Sequence, residues 1–259
     1  MIPKIIHFCW LSDDPIPDNL KNYMNTWKKY LPEYQIIHWD FNRFDKNSSL
    51  WVQQAFDNKK YAFAADYIRL FALYEYGGIY LDMDVEVLKT FNSFLELNTM
   101  ICWQNSSPGL EAAIVGTAPK QAWVRKCLEY YQNRPFIKEN GEFDTLVLPE
   151  IIESCLKRNN FKLKNCTNID EALNIEKGEN LIPVFPYTFF SPKSYATNKI
   201  EKTNDSVCIH HFAASWKSPY VIAEKKFWDF LGCKNYAIIN RIINLKRKIL
   251  FKLKRNPNR

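Results

Sequence analysis

The segment YGGIYLDMDVEVL, residues 76–88, carries Asp82, Asp84 and Glu86 within an apolar, β-rich run. Alternate side chains of a strand share one face, so three carboxylates there would repel one another and resist burial. A hard divalent cation such as Mn²⁺ or Mg²⁺ relieves that repulsion, because it takes oxygen ligands and bridges carboxylates to substrate phosphates. We therefore interpret Asp82 and Asp84 as a candidate metal–phosphate site. The alternative is an acidic, solvent-exposed turn, and Glu86 is expected to be a solvated strand residue.

A second polar pair, Asp66 and Arg69, interrupts the apolar segment YAFAADYIRLFALYEYGG, residues 61–78. The composition favours a helix that the two terminal glycines end. The i, i+3 spacing puts both polar side chains on one helix face. Arginine donates several hydrogen bonds and aspartate accepts them from hydroxyl groups, so the pair suits a polyhydroxylated ligand. An internal salt bridge is the alternative.

The elements that must position these residues alternate between strand-like and helix-like patterns. The predicted strands lie at residues 3–11, 34–40, 79–88, 99–104, 112–118 and 206–212, with a proline-broken extended segment at 181–192. The predicted helices lie at residues 18–30, 49–58, 61–78, 119–132, 146–158, 220–231 and 235–254. This alternation predicts an α/β fold with a mainly parallel sheet, in which ligands gather at the carboxyl ends of the strands. We expect one domain with a helical C-terminal appendage.

Positive charge is concentrated at the C-terminus. Residues 234–259 contain nine basic and no acidic residues, so residues 1–233 carry a net charge of −2 within a chain of net charge +7. Isoleucine and leucine at helical spacing predict a basic amphipathic helix that binds an anionic membrane surface, or alternatively a helix docked on the body. Nucleic acid is not an expected partner, because the body shows no basic patch and the tail has few aromatic residues.

Seven cysteines, without a CxxC pair, favour reduced thiols over a disulfide or zinc framework. The sequence shows no signal-peptide core and no apolar run of about 20 residues. These features lead us to expect a cytoplasmic protein, peripheral at the inner face of the cytoplasmic membrane if the tail binds there.

Three blocks of the sequence resemble the family-32 glycosyltransferases, which carry a DXD sugar-binding region. They are IPKIIHFCWL (2–11), YAFAADYIRLFALYEYGGIYLDMDVEVL (61–88) and IHHFAASW (209–216). That family includes initiating α-1,6-mannosyltransferases and capsule and lipopolysaccharide transferases, and it is distantly similar to the catalytic domains of large clostridial glucosylating toxins. The resemblance implies a Rossmann-like GT-A catalytic domain over residues 1–233, a nucleotide-sugar donor, Mn²⁺ or Mg²⁺, and transfer with retention.

The resemblance also implies roles for the two polar pairs. Asp82 and Asp84 match the DXD residues that hold the metal, and Asp82 also helps to hold the ribose or sugar. Asp66 and Arg69 match residues that grip the hydroxyl groups of the donor sugar. These four residues form the expected catalytic set, and Tyr80 matches a tyrosine beside the donor phosphates.

Further donor-binding residues follow from the two flanking blocks. Cys9 and Trp10 match positions that cradle the base, with Trp10 stacking on it; a core aromatic is the alternative for Trp10. Ser215 and Trp216 resemble a loop that closes over the diphosphate.

The last block also contains two adjacent histidines. His211 resembles a C-terminal metal ligand, and His210 is the alternative because neighbouring strand residues face opposite ways. A histidine in the core, without a ligand role, is the third interpretation.

Together these observations predict a hexosyltransferase that moves a sugar from a nucleotide-sugar, with a UDP-sugar as the expected donor. The expected acceptor is a glycan or lipid-linked oligosaccharide in bacterial capsule or lipopolysaccharide synthesis. No nucleophile is evident, which favours front-face attack by the acceptor over a covalent intermediate. Two alternatives are a metal-dependent nucleotide-sugar phosphodiesterase or pyrophosphatase and a catalytically inactive carbohydrate-binding relative.

Overall fold

A computed structural model describes residues 1–105 and 109–213. The strands of this part are β1 Ile5–Cys9, β2 Gln35–Trp39, β3 Gly78–Leu81, β4 Val85–Val87, β5 Thr99–Met100, β6 Ile114–Thr117, β7 Lys162–Asn165, β8 Leu181–Val184 and β9 Cys208–His210. The helices are α1 Asp18–Tyr30, α2 Leu50–Asp57, α3 Tyr61–Tyr76, α4 Ala122–Tyr130, α5 Leu148–Arg158, α6 Ile169–Ile175 and α7 Tyr187–Phe190. Short 3₁₀ turns lie at Lys46–Ser48 and Asn92–Phe94.

The central sheet has the strand order β2-β1-β3-β6-β5. Strand β1 pairs in parallel with both β2 and β3, whereas β6 runs antiparallel to β3 and to β5. Four of the five strands therefore point the same way. The predicted α/β class, with a mainly parallel central sheet flanked by helices, is confirmed.

Strand β3 is buried on both faces of this sheet. Ile79 and Leu81 pack into one apolar cluster that includes Trp27 of α1, and Tyr80 packs into a second cluster that includes Ile68 of α3. Because successive side chains of a strand point to opposite faces, one apolar strand anchors both layers. The carboxyl end of β3 is consequently held in place by packing on both faces of the sheet.

The acidic segment that follows β3 is a turn between two strands. The backbone N–H of Val85 donates to the carbonyl of Asp82 at 3.0 Å, and β4 then pairs antiparallel with β9. The register of that pairing puts Val85 opposite His210. The run that the sequence presents as one strand, residues 79–88, is therefore two strands that belong to different sheets.

Helix α1 covers the second edge of β4. The indole N–H of Trp27 donates to the carbonyl of Val85 at 2.7 Å, and the Thr26 hydroxyl accepts from the N–H of Val87 at 2.9 Å. These side chains satisfy backbone groups that a two-stranded ribbon leaves unpaired. The β4–β9 ribbon is thus held from both sides.

Several bounds differ from the predictions. Helix α4 begins at Ala122 rather than at Pro119, and the sequence did not predict β7 or α6. Strand β7 is KLKN and mostly exposed, so it lacks an apolar pattern. The predicted helices at 220–231 and 235–254, and the predicted domain boundary between residues 233 and 234, lie outside the described residues.

The described part also bears on the membrane and disulfide expectations. No helix there is both long and apolar enough to cross a bilayer. Its cysteines, at positions 9, 102, 127, 155, 166 and 208, are free thiols. The GT-A assignment and the membrane-binding tail stay predictions.

We predict that Gly78→Ala destabilises the protein more than Gly141→Ala. Gly78 has a φ of +99°, and an added Cβ would lie 2.7 Å from the carbonyl oxygen of Ile5 on the neighbouring strand. Gly141 has a φ of +79° but has nothing within 4 Å of an added Cβ. We expect the free energy of unfolding to fall by about 2–4 kcal/mol for Gly78→Ala and by about 1 kcal/mol for Gly141→Ala.

Urea denaturation of both variants measures these losses. Equal losses would show that the close approach of β3 to β1 does not constrain position 78.

Candidate functional site

Several predicted site residues meet at one edge of the central sheet. Cys9 is the last residue of β1 and Trp10 follows it, while Asp82 follows the last residue of β3. Strands β1 and β3 are parallel, so their carboxyl ends lie at the same edge. That edge is where α/β sheets ordinarily bind ligands.

A cluster of three potential metal ligands lies there, formed by Asp82, Asp84 and His210. One ligand atom of each residue lies within 4.8 Å of the other two. The Asp82 side chain is 31% exposed, whereas Asp84 and His210 are 13% and 12% exposed. The cluster is therefore largely enclosed, with its most open side at Asp82.

Arg69 of α3 connects this cluster to Asp66. Its Nη2 lies 3.1 Å from Asp82 Oδ1 and 3.3 Å from Asp66 Oδ1, and its Nη1 donates to the carbonyl of Ala112 at 2.5 Å. The guanidinium also lies over the ring of Tyr80, 4.4 Å from the centroid. The i, i+3 pair is thus an internal salt bridge, as one interpretation expected, and it reaches the acidic turn as well.

The electrostatics of this group follow from its burial. Burial raises the pKa of Asp66 to about 6, although the Arg69 charge opposes the shift. Burial also raises the pKa of Asp82, with the charge of Asp84 adding to the effect and Arg69 opposing it. For Arg69 burial lowers the pKa, but the charges of several neighbouring groups, that of Asp82 foremost, together outweigh this effect and the pKa is raised.

Asp84 and His210 form the second half of the cluster. His210 Nε2 lies 3.5 Å from Asp84 Oδ1, and the backbone N–H of Ala213 donates to Asp84 Oδ2 at 2.6 Å. Burial opposes both charges, yet the neighbouring charge of Glu111, with that of Asp84, raises the pKa of His210 well above its usual value. The His210 charge in turn lowers the pKa of Asp84.

The other histidine of the pair, His211, points away from this cluster. Its Nε2 lies 2.8 Å from Glu86 Oε2, and its ring stacks on Tyr23 at a centroid distance of 4.4 Å. The metal-ligand prediction named His211, but the structure brings the alternative, His210, to the two aspartates. The physical reason is the turn after Asp82, which breaks the strand alternation and directs Asp84 toward His210.

Glu111 is a site residue that the sequence alone did not predict. Its Oε2 lies 3.1 Å from His210 Nδ1, and its side chain is 5% exposed. The only signal in the sequence is a lone acidic residue ahead of the apolar run AAIV. That signal does not reveal a partner that is 99 positions away.

Three of the predicted donor-binding residues, Cys9, Trp10 and Tyr80, differ in how far their side chains are buried. Trp10 is partly buried, and its indole N–H donates to the carbonyl of Asp14 at 2.8 Å. Tyr80 is 2% exposed and lies beneath Arg69, so it presents almost no surface to a ligand. Burial raises the pKa of the Cys9 thiol to about 12, which keeps it protonated at neutral pH. The donor contacts of these residues stay predictions.

The remaining predicted donor-binding residues are Ser215 and Trp216. Both lie outside the described residues, as does the closing loop that was predicted for them.

Comparisons with known proteins found a family model and several relatives that match part of this chain. Residues 17–101 match the family model described as a glycosyltransferase sugar-binding region containing a DXD motif. Mannosyl phosphorylinositol ceramide synthase SUR1 of Saccharomyces cerevisiae is 31% identical over 139 residues, which are 50% of this chain and 34% of that protein. Inositol phosphoceramide mannosyltransferase 3 of Schizosaccharomyces pombe is 29% identical over 152 residues, which are 57% of this chain and 41% of that protein.

A solved structure of PaToxG glycosyltransferase is 23% identical, with a TM-score of 0.49, and the match covers 61% of this chain and 69% of that chain. The present chain spans less than half the length of the two fungal relatives. The matched family region includes Asp66, Arg69, Asp82 and Asp84. The resemblance to the glycosyltransferases that carry a DXD motif, predicted from the sequence, is therefore confirmed.

Proposed function

We propose that this chain is a metal-dependent glycosyltransferase that moves a hexose, with retention, from a nucleotide-sugar donor to a glycan or lipid-linked acceptor. The observation that carries the proposal is the convergence of Asp82, Asp84 and His210 at the carboxyl edge of the sheet. The match to a DXD sugar-binding region supports the same reaction class.

The donor set fits a divalent cation. Two carboxylates supply the hard oxygen ligands that Mn²⁺ and Mg²⁺ prefer, and His210 supplies one imidazole nitrogen. Imidazole is a softer ligand than Mg²⁺ ordinarily takes, so we propose Mn²⁺ as the first choice. When bound, the ion would neutralise charge on the diphosphate leaving group.

The residues around this set have separable tasks in the proposed reaction. Asp66 and Arg69 are held together in one orientation, so they can fix the hydroxyl groups of the donor sugar without rearranging. Arg69 also restrains Asp82, which links the sugar side of the site to the acidic turn. Because both aspartates of the turn are already engaged with cationic partners, we propose front-face attack by the acceptor hydroxyl rather than a covalent intermediate.

Two pairs of donor and acceptor are compatible with this proposal. A UDP-sugar and a bacterial surface polysaccharide were expected from the sequence. The names of the fungal relatives instead support a mannosyl donor and a phosphorylated lipid acceptor. Both pairs fit a transferase that binds a nucleotide-sugar, and we propose a cytoplasmic site for the reaction in either case.

A thermal-shift screen of GDP- and UDP-linked hexoses with Mn²⁺ identifies the donor. We expect one nucleotide-sugar to raise the unfolding temperature more than its nucleoside diphosphate does, because the sugar adds contacts at Asp66 and Arg69. Release of free sugar phosphate from every nucleotide-sugar, independent of the hexose and of any acceptor, would indicate the alternative phosphodiesterase. Binding without turnover of any acceptor would indicate an inactive relative.

The two adjacent histidines give a matched test of the metal site. We predict that His210→Gln and Asp84→Asn lower Mn²⁺-dependent transfer at least about 100-fold, since losses of outer-sphere partners alone reach that size. The control His211→Gln removes the contact with Glu86 and the stacking on Tyr23, both outside the three-residue cluster, and is expected to retain activity within about threefold.

Initial rates measured across a Mn²⁺ titration separate the variants. A large loss for His211→Gln with normal turnover for His210→Gln would reverse the assignment of the two histidines.

We expect Arg69→Lys to weaken binding of the donor sugar. Arg69→Lys retains the positive charge but cannot contact Asp66, Asp82 and the carbonyl of Ala112 together, because lysine has no planar fork of donors. Because the variant loses hydrogen bonds to charged groups, we predict that kcat/KM for the nucleotide-sugar decreases about 10–100-fold.

Binding of the nucleoside diphosphate alone is the control, and calorimetry should show a change of less than about threefold. Equal losses for the sugar-bearing and sugar-free nucleotides would contradict a role of Arg69 at the sugar.

A further inference from the structure

Glu111 is a buried carboxylate whose oxygens are occupied by neighbouring groups. Its Oε2 accepts from the Ser191 hydroxyl at 2.7 Å and lies 3.1 Å from His210 Nδ1, while its Oε1 accepts from the N–H of Ala113 at 3.0 Å. These contacts fix both oxygens within a side chain that is only 5% exposed. Glu111 therefore has a single orientation and little access to a substrate.

The contact between Glu111 and His210 requires a hydrogen on Nδ1 of the His210 ring. An ionised carboxylate only accepts hydrogen bonds, so Nδ1 of His210 must be the donor toward Glu111. The opposite nitrogen, Nε2, is then the one that faces Asp84 Oδ1, at 3.5 Å. The ring thus connects a buried carboxylate on one side to the acidic turn on the other.

We propose that Glu111 is a positioning residue, which holds the Nδ1–H tautomer and the ring orientation of His210 so that Nε2 is available to a divalent cation beside Asp82 and Asp84. This inference rests on the proposed function. Histidines that bind metal ions generally donate their second N–H to a carboxylate or carbonyl, which fixes the ring and raises its basicity.

The neighbouring histidine provides a contrast within the same segment. Glu86 contacts Nε2 of His211, whose ring stacks on Tyr23, and His211 is not part of the three-residue cluster. Glu86→Gln therefore removes a carboxylate–histidine contact of the same chemistry without touching His210. It is the matched control for Glu111→Gln.

The test measures the affinity of the full chain for Mn²⁺ alone, by calorimetry or by the spectroscopic signal of free Mn²⁺, without nucleotide. We expect Glu111→Gln to weaken Mn²⁺ binding about 10–100-fold and Glu86→Gln to change it by less than about threefold. Combining Glu111→Gln with His210→Gln should add little to the loss from His210→Gln alone, because the first residue acts through the second.

A second readout is independent of variants at Glu111. In ¹⁵N-histidine NMR spectra of the wild-type chain with Mg²⁺, we expect His210 to be protonated at Nδ1. Its signals are assigned by comparison with the spectra of His210→Gln and His211→Gln.

If Glu111→Gln does not fold, Glu111→Asp replaces it in the affinity measurement. The shorter side chain keeps the negative charge but moves it away from His210.

The outcomes separate this inference from the proposed function. A wild-type chain that does not bind Mn²⁺ would overturn the proposed metal-dependent function and this inference with it. Binding that Asp84→Asn abolishes and Glu111→Gln leaves unchanged would overturn the role of Glu111 alone. A His210 ring protonated at Nε2 in the Mg²⁺-loaded protein would do the same.

Discussion

Electrostatic repulsion between two adjacent carboxylates is the constraint around which this site is built. Potential ligand atoms of Asp82 and Asp84 lie within 4.8 Å of each other, and two unit charges at that distance repel by roughly 3 kcal/mol at an effective dielectric constant of about 20. That repulsion is a sizeable fraction of the stability of an ordinary domain. The folded chain compensates with one cationic partner for each carboxylate, Arg69 for Asp82 and His210 for Asp84.

These two cationic partners lie on elements that are far apart in the sequence. Arg69 belongs to α3, the helix that leads directly into β3, so its contact with the acidic turn is local. His210 arrives on β9, which reaches the turn only because β4 leaves the central sheet and pairs with it. The same turn therefore connects a strand of the central sheet to a strand of the β4–β9 ribbon, and it sets the directions of the two carboxylates.

Local spacing made one part of the site predictable. Asp82 and Asp84 were identifiable because acidic residues follow an apolar strand, and Asp66 and Arg69 because they share a helix face. The predicted bounds of α1, residues 18–30, also agree with the observed helix Asp18–Tyr30. The α/β class followed from the alternation of such local patterns.

The rest depends on contacts between distant segments, which a single sequence does not reveal. The choice of His210 over His211 requires the turn after Asp82, because uninterrupted strand alternation gives no reason to prefer either. Glu111 is identifiable only from its contact with His210 of β9, which is 99 positions away. Strand β7 is exposed and lysine-rich, so its place beside β8 comes from pairing and not from an apolar pattern.

The pairing of Val85 with His210 also has a consequence for the order in which the chain folds. The two residues are 125 positions apart, so closing this contact orders a long intervening loop and ranks among the entropically costly steps of folding. During synthesis, Arg69 and the acidic turn leave the ribosome long before His210. The nascent chain therefore carries the turn with only one of its two cationic partners until nearly all of the described sequence has been made.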